Sequence, residues 1–429
     1  MIEWKISDLD IESTEKILLP EGAHFPEDAR NVIRCWHSTD VAACPGSGKT
    51  TVLLAKLKLL ADRMPFVNGT GICVLSHTNV AVNEIKKRLS GCADKLLSYP
   101  NFIGTIQSFV DKFVTMPYLR NFAGRNVQAV DNLTYAQHML NRMQNNPNYK
   151  SLNWVTKNSF ETGKQFSDRL DHTQALYIRD DGALCLGKLK KALAGANKPS
   201  AKQYNALIED LLKNEGIMRY KDAYSYANEA INDLPQAYTD LFSSRFQYVF
   251  IDEYQDCDDV QRRAIETIFN STKCTVIKIG DSDQAIYNSS EAETPDWVPQ
   301  DGFLPIMTSC RYSQEIANVI FKLKKDQQNI TTFAGKTGIK PILLVFNPDQ
   351  TNKVIGEFIN VLDTHGLYDN KGIYKAIGAI RKKDSSGLKI GSYWAEFDSS
   401  VKKQSDYNYW VLIDDISTNL LDGKLYKAE

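Results

Sequence analysis

The chain has 429 residues, 51 Lys and Arg against 52 Asp and Glu, and a formal net charge of −1. At about 100–200 residues per domain, that length calls for two to four domains. With 43% hydrophobic and 24% charged residues, the composition excludes a disordered chain, collagen, a long coiled coil and a histone-like polycation. A local basic groove for nucleic acid remains compatible with the balanced total. No apolar run approaches the roughly 18 residues that span a bilayer and no signal-peptide pattern opens the chain, so the expectation is a cytoplasmic protein without membrane contact. The eight cysteines are scattered and never spaced as CxxC, which argues against a structural zinc site or a disulfide framework.

The first 28 residues are acidic (Glu3, Asp8, Asp10, Glu12, Glu15, Glu21, Glu27 and Asp28 against Lys5 and Lys16) and read as a solvated lead-in, with a docking surface as the alternative. Val41–Cys44 predicts a short strand, followed by a Gly-rich turn and a helix over Thr51–Met64. Gly71–Leu75 is a buried-type strand, Val80–Leu89 a helix with Lys and Arg outside, and Phe102–Ile103 precedes a turn and another helix. Residues 116–240 carry helical periodicity, many Tyr, Asn and Lys, and few strand signals, the pattern of a mostly helical insertion. Tyr248–Ile251 and Thr275–Ile279 are β-branched or aromatic runs that end in carboxylates. Strands alternating with helices imply an α/β fold with a parallel, two-sided sheet. Beyond Arg311, the segments Ile342–Phe346, Tyr374–Ile380 and Leu388–Tyr393 suggest a second α/β domain, and Lys371–Lys403 is net basic. The division this gives is 1–115 with 241–305 as a first domain, 116–240 as the insertion, and 306–429 as a second, incomplete domain.

The run Ala43-Cys44-Pro45-Gly46-Ser47-Gly48-Lys49-Thr50 follows the phosphate-loop template G-x-x-x-x-G-K-[ST], with Ala43 in place of the first Gly. Gly46 and Gly48, flanking Ser47, let the backbone turn its N–H groups around an anionic oxygen. Lys49 can reach the β- and γ-phosphates, Thr50 offers a hydroxyl to Mg²⁺, and the following helix adds its positive end. Such a loop needs a carboxylate from a neighbouring strand. Tyr248-Val249-Phe250-Ile251-Asp252-Glu253 supplies Asp252 for Mg²⁺ and Glu253 to polarise an attacking water. A DE pair at a strand end is weak evidence alone; combined with Lys49-Thr50 it makes nucleoside triphosphate hydrolysis the favoured chemistry.

Further motifs are more specific. Asp252-Glu253-Tyr254-Gln255-Asp256 and Gly280-Asp281-Ser282-Asp283-Gln284-Ala285-Ile286-Tyr287 resemble the DExQD and GDxDQxIY signatures of superfamily 1A helicases, the UvrD/Rep/PcrA family. Ser76-His77-Thr78-Asn79 with Ala81, Glu84 and Arg88 resembles the TFTNxAAxEM block. Gly104-Thr105-Ile106-Gln107-Ser108-Phe109 resembles the TxHSF block, and Ser309-Cys310-Arg311-Tyr312-Ser313 the NYRS motif. The resemblance implies a RecA-like motor domain, the helical insertion and a partial second RecA-like domain. It also implies ATP- and Mg²⁺-dependent translocation along single-stranded DNA. Gln284 would sense the γ-phosphate, and Arg311 would be an arginine finger. His77, Thr78, Asn79, Thr105, Ser108, Phe109 and Tyr287 would meet DNA. The bland readings are helix caps for the Ser and Thr residues and a core position for Phe109.

The departures carry weight too. The best-aligned position for the adenine-reading Gln holds Ala29, the base-packing Tyr is Cys310, and the DNA-stacking aromatic after GDxDQxIY is Ser289. No counterpart of the family's late motifs follows, so the expectation is a C-terminally truncated chain or a motor incomplete by design. The DEYQDC run and the Lys375-Ala376-Ile377-Gly378-Ala379-Ile380 segment are similar to the UvrD-like subunit of the Gabija anti-phage system, whose partner is a nuclease of the overcoming-lysogenization-defect (OLD) family. That resemblance implies a sensor of single-stranded DNA or DNA ends in a hetero-oligomeric defence complex. The competing reading is a nucleotide-gated regulatory subunit that binds ATP and a nuclease without unwinding DNA.

Overall fold

The computed structural model describes residues 5–121, 124, 126–159, 170, 172–187, 191–269, 274–285, 297–324, 329–333, 338–369, 373–377, 388 and 390–394. Among these residues no helix is long and apolar enough to cross a membrane. The chain divides into two compact units, residues 1–340 and 341–429.

In the first unit, α1 (Asp8–Leu18) and α2 (Glu27–Arg34) lead into β1 (Thr39–Ala43) and α3 (Lys49–Ala61). Then come β2 (Gly71–Ser76), α4 (Val80–Arg88), β3 (Phe102–Thr105) and α5 (Ile106–Val110), which runs on through a π-helical turn at Asp111–Thr115. After the insertion, β7 (Phe246–Ile251), α10 (Asp259–Ile268), β8 (Thr275–Gly280) and β9 (Leu304–Ile306) complete a six-stranded sheet in the order β9-β1-β8-β7-β2-β3. Every pairing is parallel. Both faces are covered, which is why β2 is buried at all six positions and reads as a continuous apolar run. Its period-two alternation remains visible in the packing. Ile72 and Val74 join the core beneath α1–α3, whereas Cys73 and Leu75 join a second core with Phe109, Ile265 and Trp297.

The acidic lead-in forms two helices of this fold; Asp8, Glu21 and Glu27 stay exposed, as a solvated segment would have them, but one acid is built into the core. Glu15 is buried and takes hydrogen bonds from the Phe25 N–H (2.9 Å) and Arg30 Nη2 (2.8 Å). Lys56, wholly buried in α3, donates to the carbonyls of Val32 (2.8 Å), Ile33 (3.3 Å) and Cys35 at the end of α2, and stands 4.1 Å from the Trp36 ring centroid. It satisfies carbonyls that a helix C-terminus leaves open.

The insertion has its own core, centred on Tyr135, Met139, Leu184, Tyr204 and Leu207. It contains α6 (Asn132–Asn145), α7 (Lys150–Ser159), α8 (Pro199–Asp210) and α9 (Tyr220–Asp233). It also contains β4 (Leu176–Ile178), β5 (Leu184–Leu186) and β6 (Lys191–Ala194), an antiparallel sheet that the helical expectation missed.

Leu304–Ile306 joins the motor sheet, and Thr308–Ser309 pairs with Thr331–Thr332, so residues to 340 pack with the first unit. In the second unit, 348–353 is a 3₁₀ turn, Val354–Thr364 a helix (α11) and Ile390–Tyr393 a single helical turn. Ile342–Phe346, one of the segments that suggested a second α/β domain, has no regular structure and no strand partner among the described residues. Of the other two segments named for that domain, 374–377 has no regular structure and 390–393 is the helical turn; positions 378–380 and 389, with most of the basic stretch 371–403, lie outside the described residues.

Candidate active site

Parallel strands deliver their C-terminal ends to one edge, and the candidate residues cluster there. β1 ends in the phosphate loop, β7 in Asp252-Glu253, β8 in Asp281, β2 in His77-Thr78-Asn79 and β3 in Thr105. Register brings them side by side: Ala42 pairs with Gly280, Leu75 with Ile251, and Ser76 with Thr105. The Asp252 N–H donates to the Leu75 carbonyl at 2.8 Å.

The loop turns on two left-handed glycines, Gly46 (φ 76°) and Gly48 (φ 83°). At Gly46 a side chain is barred twice over, since a Cβ would lie 2.7 Å from Arg311 Cβ and 2.9 Å from Ser309 Oγ. The Cys310 N–H donates to the Gly46 carbonyl at 3.1 Å, so the Ser309–Tyr312 segment is laced to the loop. Gly48 caps α3 without a side-chain bond, leaving the first-turn N–H groups of that helix for an anion. The Ser47 hydroxyl is buried without a partner, and Thr50 is half-buried next to it. A cradle of N–H groups, an unsatisfied hydroxyl and the hard oxygens of Thr50 and Asp252 fit a Mg²⁺-bound triphosphate.

Lys49 Nζ lies 3.0 Å from Glu253 Oε2, joining two motifs 204 positions apart. Among the described residues Glu253 is the one non-glycine at positive φ (53°), a strained conformation that turns its carboxylate toward Lys49. Gln255, 1% exposed, donates from Nε2 to the same Glu253 oxygen at 2.8 Å, and its Oε1 accepts the Asp281 N–H at 3.0 Å. Gln255 thus ties the end of β7 to the end of β8. Its fit is close: a Cβ on Gly280 would stand 2.6 Å from Gln255 Oε1.

Two adjacent carboxylates are set apart by these surroundings. Burial, and next the Glu253 charge, push the Asp252 carboxyl up to about 6, against the pull of Lys49. Burial acts to raise Glu253 as well, but the Lys49 charge and the hydrogen bonds from Gln255 and Lys49 outweigh it and hold Glu253 below its ordinary value. Glu253 is therefore the first of the two to ionise, and Asp252 the carboxyl that protonates as pH falls toward 6 and that a cation would hold in its charged form.

Other candidates fall where the motifs lead, with exceptions. Arg311 is exposed beside the loop, its N–H on Ser309 Oγ at 3.3 Å. Gln284 is turned to Asp281, its Nε2 2.6 Å from Oδ2. Thr78 and Asn79 are exposed, and half-buried His77 lies close enough to Glu253 to help lower it. Thr105 caps α5 by accepting the Ser108 N–H at 3.1 Å, and Ser108 Oγ donates back to the Thr105 carbonyl at 2.7 Å, so the cap reading applies to this pair. Phe109 is a correction: it is fully buried among Phe102, Phe113, Phe242 and Phe269, and no face of its ring is left for DNA. Ala29 is also buried in the core, so no group at that position reads a base. Tyr287 and Ser289 lie outside the described residues. Sequence reasoning passed over Gln255 and Asp281 as site residues, although the Gln of DExQD and the first Asp of GDxDQ were in view.

A model of the UvrD/REP helicase N-terminal domain matches residues 27–296. The chain is 24% identical to Gabija protein GajB of Bacillus cereus (strain VD045) over 72% of this chain and 53% of that protein. It is 23% identical to a probable DNA helicase II homolog of Rickettsia felis over 86% and 48% of the two chains. With ATP-dependent DNA helicase PcrA of Staphylococcus aureus the identity is 23% over 58% and 31%. The chain spans about half the length of the first two of these relatives. The family match takes in the phosphate loop, the Asp252-Glu253 strand end and the Asp281–Gln284 turn, and the chain belongs to the UvrD/REP helicase family.

Proposed function

We propose that this chain is an ATP- and Mg²⁺-dependent, DNA-stimulated nucleoside triphosphatase that translocates on, or senses, single-stranded DNA or DNA ends. The observation that carries the reading is the Lys49–Glu253–Gln255–Asp281 chain of contacts across three strand ends. Gly46, Ser47, Gly48 and Lys49 would bind the phosphates, and Thr50 with Asp252 would hold Mg²⁺, which neutralises phosphate charge. A bound triphosphate competes with Glu253 for Lys49. As Lys49 moves to phosphate, Glu253 loses a charge that depresses it and becomes the better base for a water proton, while Gln255 keeps its carboxylate oriented. Arg311 beside Gly46 is placed to meet charge that develops on the transferred group. Thr78, Asn79 and Ser108, exposed at the same edge, support a strand-tracking surface close to the hydrolytic residues.

ATP turnover by the parent and by Lys49→Ala, each with and without single-stranded DNA, tests this. The parent should be stimulated and Lys49→Ala inactive with weakened nucleotide binding; a parent indifferent to DNA would remove the DNA half of the reading. The relative named Gabija protein GajB favours a second reading, a nucleotide-gated subunit of a nuclease complex, with an OLD-family nuclease as the partner. Stoichiometric copurification with the neighbouring gene product would support it, and a chain that purifies alone would not.

A further inference from the structure

The insertion holds a groove of about 660 Å³ between α7, the end of β6 and the start of α8. Trp154 lies open on it, 67% exposed, whereas Tyr135 and Tyr204 in the insertion's core are fully buried. Its apolar floor comes from Val155, Leu193 and Pro199, and its polar side from Lys150 and Lys198, with no acid among the described lining residues. α7 carries Lys150 and Lys157 and no Asp or Glu. α8 begins at the groove with Lys198 as an N-cap that makes no side-chain bond; Pro199 has no N–H and the Ala201 N–H is taken by the Lys198 carbonyl at 3.1 Å, so the helix contributes only its positive end, and its acids Glu209 and Asp210 sit at the far end. The contrast with the larger groove at the opposite, N-terminal edge of the motor sheet is plain. That one is lined by three acids, Asp40, Glu266 and Asp301, against Lys278 and His37, a net acidic rim that disfavours phosphate.

An exposed indole face in a concave apolar groove, rimmed by lysines and a helix N-terminus, matches one chemistry: an unpaired nucleotide, with its base on the ring and its phosphate on the cations. We propose that the Trp154 groove is a second contact for single-stranded DNA, carried by the insertion and separate from the edge formed by Thr78, Asn79 and Ser108. The proposal rests on the reading of this chain as a DNA-binding motor. Stacking on Trp154 is sequence-tolerant, because every base offers a π-face, and it would hold the strand while contacts at the motor edge change.

The test is fluorescence anisotropy of a fluorescein-labelled oligothymidylate titrated with the full chain. Parent, Trp154→Ala, Trp154→Phe and the Lys150→Gln/Lys198→Gln double variant are compared, each checked for a parental melting profile. Loss of one base–indole stack should weaken Trp154→Ala by about tenfold, with Trp154→Phe retaining most of the affinity. Loss of two phosphate contacts should flatten the slope of log affinity against log salt by about 1.4 in the lysine double variant. A parent that binds, with Trp154→Ala and the lysine variant indistinguishable from it, overturns this inference alone, and would be the outcome if the groove served a protein partner. A parent that does not bind the oligonucleotide overturns the DNA reading and this inference together.

Discussion

Gln255→Leu removes a side chain that nothing else in the site can replace. Gln255 is buried, gives a hydrogen bond to the ionised Glu253 at 2.8 Å and receives one from the Asp281 N–H at 3.0 Å. A hydrogen bond to a charged group contributes about 1.5–3 kcal/mol, a neutral one about 1, and a buried N–H left without a partner costs about 1–3. The two losses overlap with partial relaxation, so a net destabilisation of about 3 kcal/mol is expected, read as a lower urea midpoint at unchanged slope. The catalytic effect should separate from binding. Gln255 does not belong to the phosphate loop, so the nucleotide KM should hold, while kcat falls by about tenfold or more as Glu253 loses its orientation. Glu253 should also titrate higher in the variant, because the Gln255 bond helps depress it. Gln255→Glu divides the effect: it keeps an acceptor for Asp281 but sets a second carboxylate against Glu253, and should lose turnover at least as severely. Parental stability and kcat in Gln255→Leu would refute the reasoning.

Other consequences follow from burial and charge. Phe109→Ala should cost about 3–5 kcal/mol in urea denaturation, with DNA affinity of the folded protein retained; lost DNA binding at parental stability would contradict its core assignment. Lys56→Met should cost about 2 kcal/mol, since three carbonyls at the end of α2 lose their donor. Burial pushes Lys56 down to about 7 from an ordinary 10.5, so between those values the unfolded chain holds a proton that the folded chain lacks. The parent should therefore gain stability as pH rises through that window, and Lys56→Met should lack the gain in pH-dependent melting. For Asp252 the shift runs upward, from 3.8 to about 6, so the folded chain holds the extra proton and this group favours folding more as pH falls through that range. Mg²⁺–nucleotide binding must displace that proton, and calorimetric titration should show affinity falling below about pH 6 with proton release, both absent in Asp252→Asn.

The motor sheet was legible because its signals are strong and local. Gly71–Leu75 and Tyr248–Ile251 are unbroken apolar runs, and both are strands within a residue or two of the expected ends. The phosphate loop was legible because the left-handed turns at Gly46 and Gly48 admit few residues other than glycine. The β4–β6 sheet was missed because its strands are three or four residues of Leu, Ala, Cys and Tyr, which also suit helices. Its one clear signal was Asp181-Gly182, where Gly182 at φ 78° turns the β4–β5 hairpin. Glu15 falls in a segment that reads as a solvated lead-in and Lys56 carries no signal of its own; only tertiary packing reveals the partners that allow their burial. The same holds for Gln255: its place in a motif was visible, but its two hydrogen bonds depend on β7 lying beside β8 in the folded sheet, a pairing made across the intervening α10. Phe109 shows the converse, a motif position whose apolar side chain serves the core.

The account rests most heavily on Glu253 as the base of a nucleotide site responsive to DNA. ATP turnover by the parent and by Glu253→Gln, with binding of a fluorescent ATP analogue followed in parallel and single-stranded DNA present or absent, addresses it directly. The account predicts a DNA-stimulated parent and a Glu253→Gln chain that binds nucleotide normally while turnover drops by about 100-fold or more. Near-parental turnover in Glu253→Gln would contradict it.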